Sequence, residues 1–296
     1  MERTPKIIYT GISGLLGGYI RKKEYSAEIT GIGNVNIKSD KKNFSIDITN
    51  RQLVLDLILK IRPEIIIHGA AIGNVDYCEK NPQQAIEVNV EGTENIIAAA
   101  KSVNARIIFL SSNAVYDGEN PPYNEEAAVN PIDVYGKTKV EGEKLIVESG
   151  LDYCILRLMT MYGWPQIGGR SNPVTWVIDS LKRGERINVV NDIYNNHLWA
   201  GQAADAIWQV IEREKVKDVY NISGNECISR YDLALKVAEV FELDPTLITP
   251  VDSDFFKNLA KRPKNTCFNP SKMEGELGIK PLNIDEGLAL MKQEQM

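Results

Sequence analysis

In the stretch Val134-Tyr135-Gly136-Lys137-Thr138-Lys139-Val140-Glu141-Gly142-Glu143 a phenol and an amine stand four positions apart. On a helix that spacing places Tyr135 and Lys139 one turn apart on the same face. The chemistry on offer is proton donation. A free tyrosine, with a pKa near about 10, is a poor acid at neutral pH, and a cation within roughly 4–6 Å lowers that value by about 1–3. A phenol tuned in this way serves as a general acid. Tyr-x-x-x-Lys also arises by chance on solvated helix faces, so its meaning depends on what the rest of the chain builds around it.

The first requirement is a place for a reactant. Lys6-Ile7-Ile8-Tyr9-Thr10 reads as a buried strand running into Gly11-Ile12-Ser13-Gly14-Leu15-Leu16-Gly17, with an amphipathic helix following through Ile20. A strand, a glycine turn and a helix N-terminus suit a pyrophosphate: the glycines admit its close approach and the free amides of the first helical turn donate to it. The spacing is G-x-x-G-x-x-G, one residue away from the commoner dinucleotide fingerprint. Strands are expected over 27–32 and 44–48. Where an acidic residue would hold the adenine ribose hydroxyls of NAD the chain has Gly33-Asn34, which argues against strict NAD use and leaves NADP open; Lys38 reads first as a surface lysine, with Lys38 or a neighbour as the alternative partner for its 2′-phosphate. Asp47 could accept from the adenine amino group or cap the helix that starts near Asn50; both readings stay open.

A helix over 52–61 precedes the strand Glu64 to Ala71, which leaves through the small residues Gly69, Ala70 and Ala71. His68 in that strand reads as a core histidine. A helix through 88–100 follows, and then the strand Arg106–Leu110 with the polar exit Ser111-Ser112-Asn113. Alternating strands and helices of these lengths predict an α/β fold, a Rossmann doubly wound parallel sheet with ligands at the carboxyl edge of its strands. Ser111 and Ser112 fall on that edge.

Composition narrows the classes. The chain has 296 residues, 43% of them hydrophobic, and a net charge of -6. This describes a globule with a full core and no footprint for nucleic acid. No apolar run is long enough to span a membrane. The four cysteines, Cys78, Cys154, Cys227 and Cys267, form no C-x-x-C pair. With no signal peptide, they predict reduced thiols in a cytoplasm. Two histidines at no ligand spacing make a metal centre or a Ser-His-Asp enzyme improbable.

Taken together, Thr10 to Gly17, Asn89, Ser111-Ser112 and Tyr135 to Lys139 resemble the extended short-chain dehydrogenase/reductases. The likeness continues through Val75-Asp76-Tyr77-Cys78-Glu79, Gly92-Thr93, Ala114-Val115-Tyr116-Asp117-Gly118 and Gly142-Glu143. Leu156-Arg157, Tyr162-Gly163, Tyr220-Asn221-Ile222-Ser223-Gly224, Ser229-Arg230-Tyr231 and Arg262-Pro263-Lys264-Asn265 look like the dTDP-4-dehydrorhamnose reductase branch. The resemblance implies catalytic roles for Tyr135 as proton donor, Lys139 as holder of the cofactor ribose and Ser112 as hydrogen-bond donor to the carbonyl. It places cofactor contacts at Gly11, Ser13, Gly14, Leu15, Leu16, Gly17, Asp47, Ile48, Ala70, Ala71, Asn89 and Ser111. Asn89 could instead support only the neighbouring backbone. NADP(H) is the preferred cofactor, with NAD(H) left open, and a nucleotide-linked 4-keto-6-deoxy sugar is the expected substrate.

Residues 1–162 are expected to form the cofactor-binding domain, with later strands returning to it, and 163–296 mainly a substrate-binding region. Helices are expected over 175–183, 203–212 and 230–241, with a last one near 285–292 packed on the outside. Thr160 and Arg262 are the expected substrate contacts, and Arg170, Lys261 and Lys264 are further cations for a diphosphate. Thr160 replaces an aromatic residue usual in the branch, and Asp192 to His197 follows the branch only in part, which leaves the sugar unsettled. An epimerase or dehydratase would need an additional base, for which the chain offers no convincing residue. A non-catalytic regulatory subunit would not need Ser112, Tyr135 and Lys139 together. A homodimer is an open assembly.

Overall fold

Runs such as Ile7-Ile8 and Ile65-Ile66-Ile67 are apolar without alternation, the pattern of strands covered on both faces. In the computed structural model, which describes residues 4–22, 27–33, 42–213, 217–257 and 259–295, they form the middle of a parallel sheet. The first part of the chain supplies β1 (Lys6–Thr10), α1 (Leu15–Lys22), β2 (Glu28–Gly33), β3 (Asn43–Ser45), α2 (Arg51–Ile61) and β4 (Ile65–His68). Next come α3 (Val75–Lys80), α4 (Pro82–Ile86), α5 (Gly92–Val103), β5 (Arg106–Ser112), α6 (Val134–Glu148), β6 (Tyr153–Leu158) and β7 (Met161–Tyr162). The last part supplies α7 (Pro173–Lys182), β8 (Ile187–Val190), β9 (Tyr194–Asn195), β10 (Leu198–Trp199), α8 (Ala200–Glu212) and β11 (Asp218–Ile222). It closes with β12 (Ile228–Ser229), α9 (Arg230–Val240), β13 (Ile248–Val251), α10 (Ser271–Leu277) and α11 (Ile284–Gln293).

Seven strands pair in the order β11-β6-β5-β4-β1-β2-β3, all in parallel. Alternate residues of each strand enter opposite cores. Ile7, Ile67, Ile108 and Leu156 pack toward α1 and α8, whereas Ile8, Ile66, Ile107 and Ile155 pack toward α2 and α5. Strand order reverses at β1, between β2 and β4, so a crevice opens beyond the carboxyl ends of β1 and β4. The glycine turn begins there.

Several boundaries differ from the sequence expectation. β3 is short because Asp47 folds back to accept from the Thr49 amide and hydroxyl at 2.9 and 2.8 Å, while Asn50 caps α2. The helical stretch that follows Asn81 and contains 88–100 is not one continuous α-helix: it begins at Pro82 and passes through a π turn at Glu87–Glu91 before α5. The last helix exposes Asp285, Glu286 and Ala289 on its outer face and buries the opposite one. Its Ile284, Leu288 and Met291 are buried with Val177, Leu233 and Tyr162, because Gly287 leaves room for the Tyr162 hydroxyl that any Cβ would strike. Among the described residues no helix is long and apolar enough to cross a membrane.

The expectation of four reduced cysteines is also corrected. Cys227 and Cys267 form a disulfide across 40 residues, with Cα atoms 5.8 Å apart, while Cys78 and Cys154 are buried free thiols. Local spacing could not reveal this pair. β9 lies between β12, its antiparallel partner, and Asn265, which bridges to Tyr194, so the fold carries both cysteines to one place.

Beneath the crevice is a buried ion pair. Arg157 on β6 donates to the Glu143 carboxylate of α6 through Nη2 at 2.7 Å and Nε at 3.0 Å. The same carboxylate accepts from the Ser111 hydroxyl at the end of β5, and Arg157 Nη1 donates to the Tyr116 hydroxyl at 2.7 Å. Removing one member leaves an enclosed charge, a loss of about 3–5 kcal/mol. Arg157→Met is therefore expected to lose about that much stability in urea unfolding, with part regained on adding Glu143→Gln; a loss below about 1 kcal/mol would contradict the pairing. In denaturant without reductant, two of the four cysteines should react with a thiol reagent, and reaction of all four would contradict the disulfide.

Candidate active site

Two glycines let α6 press against the end of β5. At Gly136 a Cβ would meet the Ala114 carbonyl, and at Gly142 it would meet the Phe109 ring. Asp133 starts the helix, its Oδ1 accepting from the Gly136 amide at 2.7 Å. On the facing strand end, the Ser112 hydroxyl accepts from the Ala114 amide at 3.2 Å and opens a short 3-10 turn. The consequence is one cavity of about 490 Å³ whose wall includes Ser111, Ser112, Tyr135 and Lys139 together with Gly11, Gly14, Leu15 and Leu16 of the glycine turn. Ala71 and Thr160 border the same space.

The electrostatics differ from the expectation in one respect. Burial pushes the Tyr135 phenol up to about 12, and the opposing influence is a hydrogen bond with Ser112 rather than the Lys139 charge. The ammonium of Lys139 lies 4.1 Å from the centroid of the Phe109 ring, which draws it to the strand side of the helix. Burial brings Lys139 down to about 8, with the Glu143 carboxylate opposing. His68 is a core histidine: its ring nitrogens lie 2.7 Å from Thr10 Oγ1 and 2.9 Å from Thr93 Oγ1. Burial, followed by the Lys139 charge, lowers its pKa to about 3.

The expected cofactor contacts divide into two groups. Gly11, with φ 85°, sits so close to the Gly69 and Ala70 backbone that a Cβ would approach to 2.8 Å, whereas the space beside Gly14 is bounded only by the Gly11 carbonyl. Gly11 therefore lets two strand ends close up, and Gly14 keeps the mouth of α1 open, a cradle that fits a dinucleotide pyrophosphate. Ser13, Gly17, Asp47, Ile48, Ala70 and Asn89 do not border the cavity. Gly17 packs against the Ile12 backbone and Ile48 against Gly92. Asn89 holds Ile72, accepting from its amide at 2.7 Å and donating to its carbonyl at 3.2 Å, and also donates to Thr138. Asn34 and Lys38 lie outside the described residues.

Gln166 was not anticipated as part of this site. Its Nε2 donates to the Ile12 and Gly14 carbonyls at 2.8 and 2.7 Å, securing the glycine turn from a loop with no marking beyond its glycine and proline content.

On the substrate side Arg262 reaches the cavity, but its guanidinium is committed to Asp76, with bonds of 2.7 and 2.6 Å. Lys264 pairs with Asp192. A second cavity of about 980 Å³, bordered by Trp176, Phe256, Lys257 and Lys261, shares Ile193, Arg230 and Arg262 with the first. In the sequence Arg230 reads as the start of a helix and as part of the Ser229-Arg230-Tyr231 likeness, with no site role. A signal was available, since a cation directly after the Ser229 cap opposes the helix dipole and needs another reason to be there.

For Lys139 the folded value near 8 lies below the ordinary 10.5, so between those values the unfolded chain holds a proton that the folded protein lacks. This group accordingly makes stability rise with pH across that window. Side-chain ¹⁵N NMR of the cofactor-free protein should show one lysine titrating near pH 8 that disappears in Lys139→Arg. All lysines titrating above pH 10 would contradict the enclosed setting.

The chain is 30% identical over 281 residues to the methionine adenosyltransferase 2 subunit beta of Bos taurus, covering 93% of this chain and 83% of that protein. It is also 30% identical over 296 residues to the dTDP-4-dehydrorhamnose reductase of Aggregatibacter actinomycetemcomitans, covering 96% and 97%. The crystal structure of dTDP-4-dehydrorhamnose reductase from Bacillus anthracis in complex with NADP superposes with a TM-score of 0.88 at 27% identity, covering 99% of this chain and 100% of that one. The family model described as the RmlD substrate binding domain matches residues 5–296, and the chain belongs to that family, within the extended short-chain dehydrogenase/reductases.

Proposed function

We propose that the protein uses NADPH, with NADH as an open second choice, to reduce a nucleotide-linked 4-keto-6-deoxy sugar. The first substrate to test is the dTDP-linked sugar of its reductase relatives. The observation that carries this reading is the meeting of Ser112, Tyr135 and Lys139 with the glycine turn in one cavity. Gly11, Gly14, Leu15, Leu16 and Ala71 would hold the cofactor, which when bound supplies a hydride to the carbonyl carbon. Residues 1–162 then serve mainly the cofactor and residues 163–296 mainly the sugar nucleotide.

The protein's own part is to manage charge on the carbonyl oxygen. Ser112 donates a hydrogen bond to it, and such a donor, already aimed in a dry site, is worth more than in water. Tyr135 stays protonated at neutral pH because burial raises its pKa, and it is still a stronger acid than the alcohol whose alkoxide forms. Its proton therefore moves as charge develops. Lys139, one turn along on the same helix face, would supply a cation for the resulting phenolate.

The two cavities suit the two ends of a sugar nucleotide. The sugar would occupy the smaller one, beside Tyr135, and the base and its pentose the larger one, where Trp176 and Phe256 offer apolar faces beside Lys257 and Lys261. A non-catalytic reading is favoured by one observation, the equal identity to methionine adenosyltransferase 2 subunit beta.

Turnover separates the readings. With NADPH and dTDP-4-dehydro-6-deoxymannose the protein should consume the cofactor, and Tyr135→Phe should lower kcat by about 10²- to 10⁴-fold with NADPH affinity within a few fold. A Tyr135→Phe variant with undiminished turnover would remove Tyr135 as the acid. No oxidation of NADPH or NADH with any 4-keto sugar nucleotide would favour the non-catalytic reading.

A further inference from the structure

Ile193, Arg230 and Arg262 border both cavities, so the two adjoin at these side chains, which we call the neck. From the sequence Arg262 is the natural anion grip, but the structure gives its charge another use. It holds Asp76 in a two-bond pair, Asp76 Oδ1 also accepts the Ala260 amide at 2.9 Å, and Arg262 Nη1 donates to the Ala260 carbonyl at 2.6 Å. Arg262 thus fastens the segment around Ala260 to α3.

Arg230 is in the opposite state. It is the first residue of α9, its amide donates to the Ile193 carbonyl at 3.1 Å, and its Nε is sealed from solvent without a hydrogen-bond partner. Its guanidinium makes no ion pair among the described residues, and the nearby carboxylate, Asp76, is fully engaged by Arg262 and Ala260. Burial, then the Arg262 charge, lowers it to about 10, with Asp76 opposing. His197, close enough to feel its charge, is itself held neutral by burial. A half-buried cation at the positive end of an 11-residue helix, with its Nε sealed and no counter-ion among the described residues, is a setting that an incoming anion would favour.

We propose that Arg230, rather than Arg262, is the side chain that binds the pyrophosphate bridge of the substrate, at the neck joining the sugar cavity to the nucleoside cavity. This rests on the nucleotide-sugar reading above and gives it a position: a sugar placed against Tyr135 and a base beside Trp176 must pass its two phosphates through this neck. Arg262 maintains the wall. The guanidinium plane provides paired donors for phosphate oxygens, which an ammonium does not reproduce.

The test is calorimetry on the NADP-saturated protein with dTDP, UDP, GDP and ADP, and with thymidine as the ligand lacking phosphates. Arg230→Met should weaken the nucleoside diphosphate that binds best by about 10- to 100-fold, the loss expected on removing a charged hydrogen-bond partner. Arg230→Lys should recover part of it, and thymidine and NADPH should bind as before. The melting temperature of ligand-free Arg230→Met should equal or exceed that of the unaltered protein, an outcome a purely structural arginine would not give. Retained nucleoside diphosphate affinity in Arg230→Met, or a drop in its ligand-free melting temperature that accounts for weaker binding, would overturn the assignment to Arg230 alone. If the unaltered protein binds none of the four nucleoside diphosphates, the nucleotide-sugar reading fails as well.

Discussion

The pair between Arg157 and Glu143 is the constraint on which the site depends. Glu143 lies two turns along α6 from Tyr135, and its carboxylate is also the acceptor for Ser111, the residue before Ser112. One buried anion therefore ties the helix that carries the phenol to the strand that carries the serine, and Arg157 locks that anion to the next strand. An enclosed charge network is a poor source of net stability compared with a well-packed apolar core. What it does supply is position, because neither element can slide without stranding a charge. Gly136 and Gly142 make the close approach possible, and the ion pair fixes its register.

That arrangement also explains the charge state of the site. The same closeness that brings Tyr135 to Ser112 removes water from the phenol and raises its pKa, and the same carboxylate that anchors α6 holds up the pKa of Lys139 against burial. Before any ligand enters, the phenol is a neutral acid and Lys139 is poised near neutrality. Burial sets both values, and the simple picture of an amine acidifying a phenol one turn away gives way to one in which each group is tuned by its own surroundings. At the neck, by contrast, Arg262 is neutralised by Asp76 and Arg230 is not, so the local positive charge is concentrated on one guanidinium.

Much of the fold was legible in the sequence because its strands are covered on both faces and its turns are marked. Ile7-Ile8, Ile65 to Ile67 and Arg106 to Leu110 admit little else, and the glycine turn after β1 announces the edge where ligands bind. Ser112, Tyr135 and Lys139 were legible as a set because each sits at a fixed distance from a strand end or within one helix turn. What could not be read was anything set by pairing distant segments. The Cys227–Cys267 bond depends on β9 lying between β12 and Asn265, and it stands against the reduced thiols predicted from the cysteine spacing and the lack of a signal peptide. The commitment of Arg262 to Asp76 joins residues 186 apart, and the hold of Gln166 on Ile12 joins residues 154 apart. The seating of the buried face of α11 depended on Gly287 meeting Tyr162, a contact no periodicity contains.

The central claim is that the space between the glycine turn and Tyr135 is where hydride reaches a sugar carbonyl. The most direct measurement is isotope transfer from [4,4-²H₂]NADPH to a nucleotide-linked 4-keto-6-deoxy sugar, with the product read by mass spectrometry and NMR. One deuterium at C4 of the product sugar, formed by the unaltered protein and lost in Tyr135→Phe, is the predicted result. A protein that binds NADPH and the sugar nucleotide together yet leaves the sugar unlabelled would contradict the account.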